Sequence, residues 1–421
     1  MKVGIIGSGG REHALCEALS KSKKISKLYC FPGNAGTQKT AENINIDVDN
    51  FETLKNFVIS QNIELIVVGP EKPLVEGIVD FFESNNILIF GPNKFASQLE
   101  GSKIFTKKIC KKYKIPTAKF GVFKNINEAK LFIKDTKFPL VVKADGLAAG
   151  KGVYICENKE NAEKAIEEIF NGKFGHAKNI LLEEFLLGEE MSYFVISDGK
   201  NVKKFQTAQD HKRVGEGDAG KNTGGMGAYS PSRLINENLD KKILDKIILP
   251  TLDALKDMDC EYKGFLYAGL MIVKNEPYLI EYNVRMGDPE CQTILPKLKT
   301  DLLEIILGCV KKKLNEIKID WYDQNSLCIV LCSKGYPDKY KNNILINNLN
   351  KIISSSKQKI YHAGTKIENN NILSNGGRVL NFVSLSNSFK DARDKNIQMI
   401  NKINWSEGFY RKDIGYKVIK E

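Results

Sequence analysis

The sequence predicts a mixed α/β protein with three domains, and three observations support this prediction. Strand-like and helix-like segments alternate over residues 1–101, the chain is rich in glycine over residues 102–321, and short strands flank a helix over residues 322–421. The 421 residues are enough for two to four domains of about 100–200 residues each. Hydrophobic residues make up 42% of the sequence, so each domain can bury a core.

The first region contains four apolar strands separated by helices. Such alternation is typical of a parallel sheet whose strands are joined by right-handed crossovers. The predicted elements are strand Lys2–Ile6, helix Arg11–Lys21, strand Lys27–Phe31, helix Phe51–Asn62, strand Leu65–Val68, helix Leu74–Asn85 and strand Ile87–Phe90.

The last region returns to short strands. Apolar segments predict strands at Ser326–Cys332 and Val379–Leu385, followed by a helix near Phe389–Ile400. The polar segment Asn342–Asn350 is predicted to be a loop or a strand edge.

The composition argues against several protein classes. No apolar run approaches the ~18 residues of a membrane span, and Arg11 and Glu12 follow too early for a signal peptide. The nine cysteines are scattered without a Cys-x-x-Cys pair, which disfavours a disulfide framework or a zinc site. We therefore expect a soluble cytoplasmic protein with free thiols and no membrane partner.

The net charge of +12 raises the possibility of a nucleic-acid partner. The excess lysines are accompanied by many Asn and Ile residues, and all three types have AT-rich codons. No lysine run is interleaved with aromatic residues, as a platform for single-stranded nucleic acid requires. We therefore expect no nucleic-acid partner.

A first glycine cluster, Gly7–His13, follows a strand and opens a helix. Backbone N–H groups and the helix dipole could hold an anion there, with Arg11 as a partner. A nicotinamide site is disfavoured, because Glu12 occupies the third glycine position and Cys30–Gly36 supplies no acid after the second strand. A phosphate-sized ligand and a tight strand-to-helix turn both remain open.

A second cluster, Phe138–Val153, contains an apolar strand ending in Lys143 and then a loop of small residues. The spacing between Gly146 and Lys151 is wrong for a P-loop. Close backbone amides and lysines still suit a triphosphate. A flexible hairpin loop is the alternative, and it explains the glycines but not the lysines on both sides.

A third cluster, Ile180–Glu190, places four carboxylates around an apolar hinge. The hinge backbone could bind an adenine edge, and one glutamate could hold ribose hydroxyls. An ordinary acidic turn is the alternative.

The fourth cluster, Pro277–Arg285, has the period of two expected for a strand. Glu281, Asn283 and Arg285 then share one face, and Ile280, Tyr282 and Val284 share the other. Two oxygen ligands and a cation on one face suit Mg²⁺ that bridges phosphates. An edge strand with a solvated polar face is the alternative.

These four clusters, in this order, resemble the ATP-grasp enzymes, and further motifs narrow the resemblance to the phosphoribosylamine–glycine ligase (glycinamide ribonucleotide synthetase) family. The most specific matches are Gln209–Arg213 and Asn222–Tyr229. The other matching segments, which extend over nearly the whole chain, are Gly7–His13, Pro32–Gly36, Val68–Glu71, Lys143–Gly152, Glu281–Glu290, His362–Thr365, Gly376–Leu380 and Tyr410–Gly415.

The resemblance implies a Rossmann-like domain over residues 1–101 and an ATP-grasp domain over 102–321 with a mobile lid at about 117–188. A small α/β domain would follow over 322–421. It also implies that ATP, glycine and 5-phosphoribosylamine are converted to glycinamide ribonucleotide, ADP and phosphate in purine biosynthesis. ATP and Mg²⁺ (or Mn²⁺) would be required, and we expect a monomer.

Two other functions are weighed against this ligase. Another ATP-grasp carboxylate–amine ligase or a biotin-dependent carboxylase would share the ATP site but should lack Gln209–Arg213 and Asn222–Tyr229. A non-enzymatic nucleotide sensor would not need the intact face of Glu281, Asn283 and Arg285.

The resemblance also implies roles for individual residues. Lys103 lies in a lysine-rich stretch with Lys107, Lys108, Lys111 and Lys112, whose alternative interpretation is a solvated helix face. Catalysis would involve Arg285, Lys143, Asp210, Lys212 and Arg213, and Glu281 and Asn283 would bind the metal. ATP would contact Lys103, Lys143, Gly150, Lys151, Gly152, Glu183, Glu184, Phe185, Leu186 and Glu190. The other substrates would contact Gly9, Gly10, Arg11, Asn34, Gly69, Pro70, Asp210, His211, Asn222, Thr223, Gly224, Gly225 and Arg285.

The sequence departs from the family pattern at four positions. Phe31 stands where His is usual, Lys221 where Pro is usual, Met286 where Phe is usual and Cys291 where Thr is usual. None of these changes removes a predicted charge or ligand. The strand Ala268–Ile272 lacks the third metal-binding acid that many ATP-grasp enzymes carry.

Overall fold

The first region folds as the predicted parallel sheet in the computed structural model, which describes residues 1–147, 152–175 and 178–419. Its strands are β1 (Lys2–Gly7), β2 (Lys27–Pro32), β3 (Glu42–Asn43), β4 (Leu65–Val68) and β5 (Ile89–Phe90). Its helices are α1 (Gly10–Ser20), α2 (Phe51–Ser60), α3 (Glu71–Glu76), α4 (Ile78–Ser84) and α5 (Gln98–Gly101), and α6 (Lys103–Tyr113) follows directly after the region. The strands pair in parallel in the order β3-β2-β1-β4-β5.

The segment predicted as one helix over Leu74–Asn85 forms two helices. Gly77 separates α3 from α4 and has a φ of 99°, a left-handed conformation that glycine adopts without steric cost. The first of these helices also starts earlier than predicted, because Pro70 provides an extended N-cap directly before Glu71.

The glycine-rich region begins with a separate four-stranded antiparallel sheet. It contains β6 (Phe120–Phe123), α7 (Ile126–Phe132), β7 (Leu140–Ala144), β8 (Val153–Cys156), α8 (Lys159–Phe170) and β9 (Ile180–Glu184). The strand order is β6-β9-β7-β8, and the two helices share a small apolar core with the sheet. We call this unit the small sheet.

The rest of the chain contributes to one large antiparallel sheet. The segment up to residue 321 contains β10 (Glu189–Asp198), β11 (Val202–Asp210), β12 (Arg213–Gly215), β13 (Ala219–Asn222), β14 (Gly227–Ser230), α9 (Glu237–Ile243), α10 (Leu249–Lys256), β15 (Lys263–Val273), β16 (Glu276–Asn283), α11 (Glu290–Ile294) and α12 (Leu302–Val310). The segment after it contains β17 (Asn325–Ser333), β18 (Gln358–His362), β19 (Thr365–Glu368), β20 (Asn371–Ser374), β21 (Arg378–Ser386), α13 (Phe389–Ile400) and β22 (Gly408–Phe409).

The large sheet joins the central and C-terminal parts of the chain. Its strand order is β16-β15-β10-β11-β14-β17-β21-β18, with β22 paired to β17. Outside this sheet, β12 pairs with β13 and β19 pairs with β20 in two separate two-stranded sheets. Gly227 pairs with Ile329 and Ser230 pairs with Ser326, so β14 and β17 connect the two parts. One apolar core extends from α1 across this sheet to α13.

The predicted loop over Asn342–Asn350 is mostly irregular, with bridges to Leu373 and Asn404 and a short 3₁₀ turn at its end. All nine cysteines are buried and free. Among the described residues, no helix combines the length and apolar character needed to cross a membrane.

Candidate active site

A cavity of about 340 Å³ lies where the first region, the small sheet and the large sheet meet. Many of the predicted site residues line it: Arg11, Lys103, Lys143, Glu190, Asp210, Lys212, Asn222, Thr223, Gly224, Glu281, Asn283 and Arg285. Within the described chain, the predicted residues outside this lining are Gly9, Gly10, Asn34, Gly69, Pro70, Gly152, Glu183, Glu184, Phe185, Leu186, His211, Arg213 and Gly225.

Strand β16 presents Glu281 and Asn283 to the cavity, and Arg285, two residues beyond the end of the strand, lines it as well, as the period of two predicts. Ile280 and Tyr282 also line the cavity. Tyr282 is buried in the core, as predicted for the opposite face, whereas Ile280 is half-buried like Glu281 and Asn283, so the prediction for Ile280 is wrong. The cause is a β-bulge: adjacent residues of β15 pair with Leu279 and Glu281, which leaves Ile280 without a partner in the ladder. The bulge places Ile280 beside Glu281 and turns Leu279 into the core.

Arg285 is held by carboxylates from two other parts of the chain. Its Nε lies 3.2 Å from Glu71 Oε2, and its Nη2 lies 2.6 Å from Glu100 Oε1. The Arg285 guanidinium lowers the pKa of Glu71 to about 2, whereas burial raises the pKa of Glu100 to about 7. Two anchors on different elements fix the direction of the guanidinium plane at the cavity wall.

The oxygen atoms of Glu281 and Asn283 suit a hard divalent cation. Burial would raise the pKa of Glu281, but the ammonium groups of Lys212, Lys143 and Lys103 hold it below its ordinary value. In the described parts of the chain, no three His, Cys, Asp or Glu side chains lie close enough together to hold a metal. A cation here would take its remaining ligands from phosphate oxygens and water, which Mg²⁺ commonly does.

Lysines from α6 and β7 meet beside the cavity. Lys143 Nζ lies 3.0 Å from Glu183 Oε1, and Lys107 Nζ lies 3.3 Å from Glu183 Oε2. Lys103 Nζ donates to the Gly146 carbonyl at 2.9 Å, and burial lowers the pKa of Lys103 and of Lys107. Glu183 therefore lies behind the lysines, and Lys107 is buried and not on a solvated helix face.

Of the predicted phosphate loop, Gly150 and Lys151 lie outside the described residues. At the base of the loop, the Ala144 N–H donates to the Gly152 carbonyl at 2.8 Å. This bond joins Gly152 to Ala144, which is the last residue of β7 and the neighbour of Lys143. The loop between these two residues therefore starts beside the cavity.

We expect Gly152→Val to raise the KM for ATP by about tenfold or more. A branched side chain would keep the backbone away from a bound phosphate. Steady-state kinetics with varied ATP would measure the effect, and the urea unfolding midpoint would show that the fold is intact. A KM equal to that of the parent enzyme would mean that the loop is merely a structural hairpin.

The hinge after β9 contains the residues predicted to bind adenosine. The Glu184 carboxylate accepts the Lys119 N–H at 2.9 Å, and Phe185 and Leu186 are half-buried. Glu190 Oε2 lies 3.0 Å from Lys212 Nζ at the cavity edge. Glu190 is thus the hinge carboxylate that reaches the cavity.

The segment after β11 forms a compact loop around Asp210. The Thr223 hydroxyl donates to the Lys212 carbonyl at 2.8 Å and accepts the Gly225 N–H at 3.0 Å. Gly225 has a φ of 114°, and a Cβ there would lie 2.7 Å from Asp210 Oδ1. Burial and the nearby Glu290 carboxylate raise the pKa of Asp210. Within the described chain, Asp210 Oδ1 is buried without a hydrogen-bond partner, which fits a ligand ammonium group.

His211 and Arg213 face the C-terminal segment. His211 Nε2 accepts the Gly415 N–H at 3.0 Å, and Nδ1 lies 3.6 Å from Asp218 Oδ1. Burial lowers the pKa of His211. Arg213 donates to the Gly220 carbonyl at 2.7 Å. These contacts give both side chains a supporting place in the structure, and their predicted contact with substrate stays a prediction.

The first glycine cluster holds an anion of its own. The Glu12 carboxylate accepts the Gly9 N–H at 2.6 Å and the Arg11 Nε at 2.6 Å. A Cβ on Gly69 would lie 2.1 Å from Glu12 Oε1, so the glycine makes room for this carboxylate. Asn34 Nδ2 donates to the Ser8 carbonyl at 2.8 Å and to the His362 carbonyl at 2.9 Å, so it connects this loop to the C-terminal part of the chain. Of the predicted residues in this loop, Arg11 reaches the cavity.

Family models for phosphoribosylglycinamide synthetase match three consecutive stretches of the chain. The N domain matches residues 1–100, the ATP-grasp (A) domain matches residues 101–291 and the C domain matches residues 326–417. The chain belongs to the phosphoribosylglycinamide synthetase family.

Relatives support this membership over the full length. The phosphoribosylamine–glycine ligase of Brucella melitensis is 44% identical over 100% of this chain and 99% of its own length. That of Caldanaerobacter subterraneus is 46% identical over 98% of this chain and 99% of its own length. The crystal structure of phosphoribosylamine–glycine ligase from Thermotoga maritima has a TM-score of 0.86 at 33% identity and covers 99% of this chain and 100% of that one.

The predicted fold and function are therefore confirmed: the chain is an ATP-dependent ligase of glycine and 5-phosphoribosylamine in purine biosynthesis. Another ATP-grasp ligase or a carboxylase is not favoured. The biotin carboxylase domain of the Hydrogenobacter thermophilus 2-oxoglutarate carboxylase, solved with MgADP, shares the fold at 18% identity and a TM-score of 0.72 over 97% of this chain and 91% of its own. ATP with a divalent metal fits this fold.

Several residues that line the cavity were not predicted from the sequence. Arg378 Nη1 lies 3.2 Å from Asp288 Oδ1 and donates to the Gly224 carbonyl at 2.6 Å. Glu290 Oε1 accepts the Ser192 hydroxyl at 2.9 Å. Arg378 and Glu290 both lie within sequence segments that match the family, and this match was the one feature of the sequence that could have indicated a role in the site. Their positions depend on strand pairings and helix packing that the local sequence does not encode.

The four departures from the family pattern lie outside the cavity lining in the described structure. Phe31 is fully buried in the core of the first region, and Lys221 forms an exposed ion pair. Met286 and Cys291 are buried against α1 and the large sheet. These positions explain why the charges around the cavity are unaffected.

Proposed function

We propose that the cavity forms glycyl phosphate from ATP and glycine and then transfers the glycyl group to 5-phosphoribosylamine. The observation that carries this proposal is the arrangement of Lys103, Lys143 and Arg285 around Glu281 and Asn283 in one cavity. Two anions, a carboxylate and a γ-phosphate, must meet in such a reaction. Fixed cations lower the energy of the charge that develops between them.

Nucleotide binding is assigned to the small sheet and α6. Lys103 and Lys143 would contact the phosphates, together with the loop that ends at Gly152. The hinge backbone over Glu183–Leu186 would contact the adenine, since the Glu183 side chain is buried against Lys107 and Lys143, and Glu190 would hold the ribose. The half-buried hinge and the position of Glu190 at the cavity edge support this assignment.

Glu281 and Asn283 would hold a divalent cation, which we propose to be Mg²⁺, with Mn²⁺ as a substitute. When bound, the cation would neutralise charge on the ATP phosphates. The depressed pKa of Glu281 supports this role, because it keeps the carboxylate ionised in a buried site.

Arg285 would stabilise the phosphoryl group during its transfer. A glycine carboxylate oxygen forms a bond to the γ-phosphorus, and the bond from that phosphorus to the ADP oxygen breaks. The guanidinium keeps its charge throughout, and its contacts to Glu71 and Glu100 hold it in place before the reaction begins. This preorganisation is the main contribution a side chain can make to such a step.

Asp210 and Lys212 would orient glycine. The unpartnered Asp210 Oδ1 would accept the glycine ammonium group, and Lys212 lies 3.7 Å from Glu281 Oε1, near the metal face. Gly225, in the Asn222–Gly225 loop, leaves room for the Asp210 carboxylate because it has no Cβ. Arg213 and His211 would support the same loop.

In the second step the amine nitrogen of 5-phosphoribosylamine attacks the glycyl carbonyl carbon. Phosphate leaves, and the amine loses a proton. Arg11, with the loops containing Gly9, Gly10, Asn34, Gly69 and Pro70, would form the side of the cavity that receives this substrate. Arg378, from the C-terminal part of the chain, adds a second guanidinium to the cavity lining.

Water must be excluded, because an acyl phosphate hydrolyses. We propose that residues 117–188, which contain the small sheet, close over the cavity as a lid. Asp145 accepts the Ser102 hydroxyl and the Ile104 N–H, both at 3.2 Å, so the lid contacts the start of α6. We also propose domains at 1–101, 102–321 and 322–421, action as a monomer in the cytoplasm, and no nucleic-acid or membrane partner.

Glycine labelled with ¹⁸O in both carboxylate oxygens tests the glycyl phosphate. One labelled oxygen should appear in the product phosphate, because the oxygen that attacks phosphorus leaves with it. Mass spectrometry of the phosphate measures this transfer. Unlabelled phosphate from a reaction that makes glycinamide ribonucleotide would rule out the proposed intermediate.

A further inference from the structure

A second cavity, of about 590 Å³, opens away from the active site. Its lining includes Gln206, Lys297, Trp321, Asp323, Gln324 and Asn325, and we call it the Lys297 cavity. It shares no lining residue with the active-site cavity. Gln206 and Asp210 are both on β11, so the two cavities are separated along this strand by four residues, or about 13 Å.

Lys297 is the buried cation of this cavity. It is the last residue of the 3₁₀ turn after α11, and it is only 3% exposed. Its Nζ donates to Gln206 Oε1 at 3.2 Å. Among the described residues Lys297 forms no salt bridge, and Asp323, which lines the same cavity, is the carboxylate that acts on its charge from a longer distance.

A lysine ammonium group has three N–H donors, and one contact to a neutral amide oxygen leaves donors unsatisfied. Burying a charge without a counter-charge is costly. Burial lowers the pKa of Lys297 to about 8, so the ammonium group loses its proton more readily, and the nearby Asp323 carboxylate opposes this effect. An anion in the cavity would supply both the charge and the acceptors that are lacking.

The other lining groups suit a small polar ligand. Gln206, Gln324 and Asn325 carry amide groups that can donate to oxygen atoms, and Trp321 offers a flat apolar surface. The volume lies in the range of ordinary ligand pockets, about 300–1,000 Å³. Asp323 repels an anion at its own edge of the cavity, so the favoured position is beside Lys297.

We propose that the Lys297 cavity is a second ligand site, which binds the carboxylate or phosphate group of a small metabolite at Lys297. This site is independent of the residues that carry the ligase reaction. Its occupancy requires the ammonium form of Lys297, so the affinity for acetate, which stays ionised over this range, should be constant from about pH 6 to pH 8 and fall about tenfold per pH unit at higher pH.

Trp321 makes the site measurable, because the chain contains only two tryptophans. In a Trp405→Phe background, Trp321 is the only indole, and its fluorescence should change saturably as inorganic phosphate or acetate is added. The tighter of these two probes indicates whether the natural ligand carries phosphate or carboxylate. Lys297→Met should weaken binding at least tenfold. Lys318→Met removes an exposed lysine that pairs with Asp320 outside the cavity lining, and it should leave binding unchanged.

The absence of saturable binding of both anions to the Trp405→Phe protein would overturn the proposal, as would equal affinity in the Lys297→Met variant. Chemical labelling of the unaltered protein gives an independent measurement if that variant does not fold. At pH 8 an amine-reactive reagent should modify Lys297, and phosphate or acetate should slow this modification selectively, as seen by peptide mass spectrometry. A Lys297 that is not labelled, or that neither anion protects, would contradict an open anion site.

Discussion

Arg285→Met is expected to lower kcat by roughly 10²–10³-fold, the range seen when one group that stabilises developing charge is removed. Methionine preserves much of the side-chain length but provides neither charge nor N–H donors. The loss should appear in kcat more than in the KM for ATP, because the guanidinium acts on charge that develops during phosphoryl transfer. Rapid-quench or coupled measurement of ADP formation would give both constants.

Arg285→Lys provides a sharper form of the same test. An ammonium group cannot bridge Glu71 and Glu100 as the planar guanidinium does, so we expect most of the loss to remain. Arg233→Met is the matched control, since Arg233 pairs with Glu189 at the surface and lies outside the cavity lining. Arg285 would have no specific role in the mechanism if Arg233→Met lowered kcat as much as Arg285→Met does, or if Arg285→Met had a near-normal kcat.

Glu281→Gln should lower kcat/KM by roughly 10²-fold or more, which corresponds to at least ~2.7 kcal/mol of transition-state stabilisation. Glutamine keeps the shape of the side chain but removes a negative charge from a hard-cation site. Raised Mg²⁺ should recover part of the loss, because mass action compensates for weaker metal binding. Titration of activity with Mg²⁺ in both proteins measures this recovery.

Glu276→Gln is the control on the same strand. Glu276 is at the far end of β16 and pairs with Lys242 and Lys246 near the surface. The substitution should change the free energy of unfolding by less than ~0.5 kcal/mol and leave turnover unchanged. Near-normal activity of Glu281→Gln at ordinary Mg²⁺ would refute Glu281 as a metal ligand.

Four strands of the parallel sheet in the first region could be predicted because each is encoded by a local run of apolar residues, whereas the two-residue edge strand β3 has no such run and was not predicted. The face of β16 was likewise visible in the period of two, apart from the bulge at Ile280. A bulge depends on how the partner strand β15 pairs, and no residue of β16 alone indicates it. The same limit applies to Gly77, which divides a helix that the apolar pattern presents as continuous.

Long-range contacts account for what could not be predicted. The pairing of β14 with β17 joins two parts that look separate in sequence, and it brings Arg378 to the cavity wall. Glu71 and Glu100 are 214 and 185 residues from the arginine that they hold. The lysine-rich helix α6 gave no local sign that Lys107 points inward to Glu183.

The most direct test of the account is the substrate dependence of ADP release. With ATP, Mg²⁺ and 5-phosphoribosylamine, we expect ADP to form at a substantial rate only when glycine is added, in a one-to-one ratio with glycinamide ribonucleotide. Chelation of the divalent metal should abolish the reaction. ADP release that is unaffected by glycine, or that bicarbonate supports in its place, would contradict the assignment of this cavity to glycine ligation.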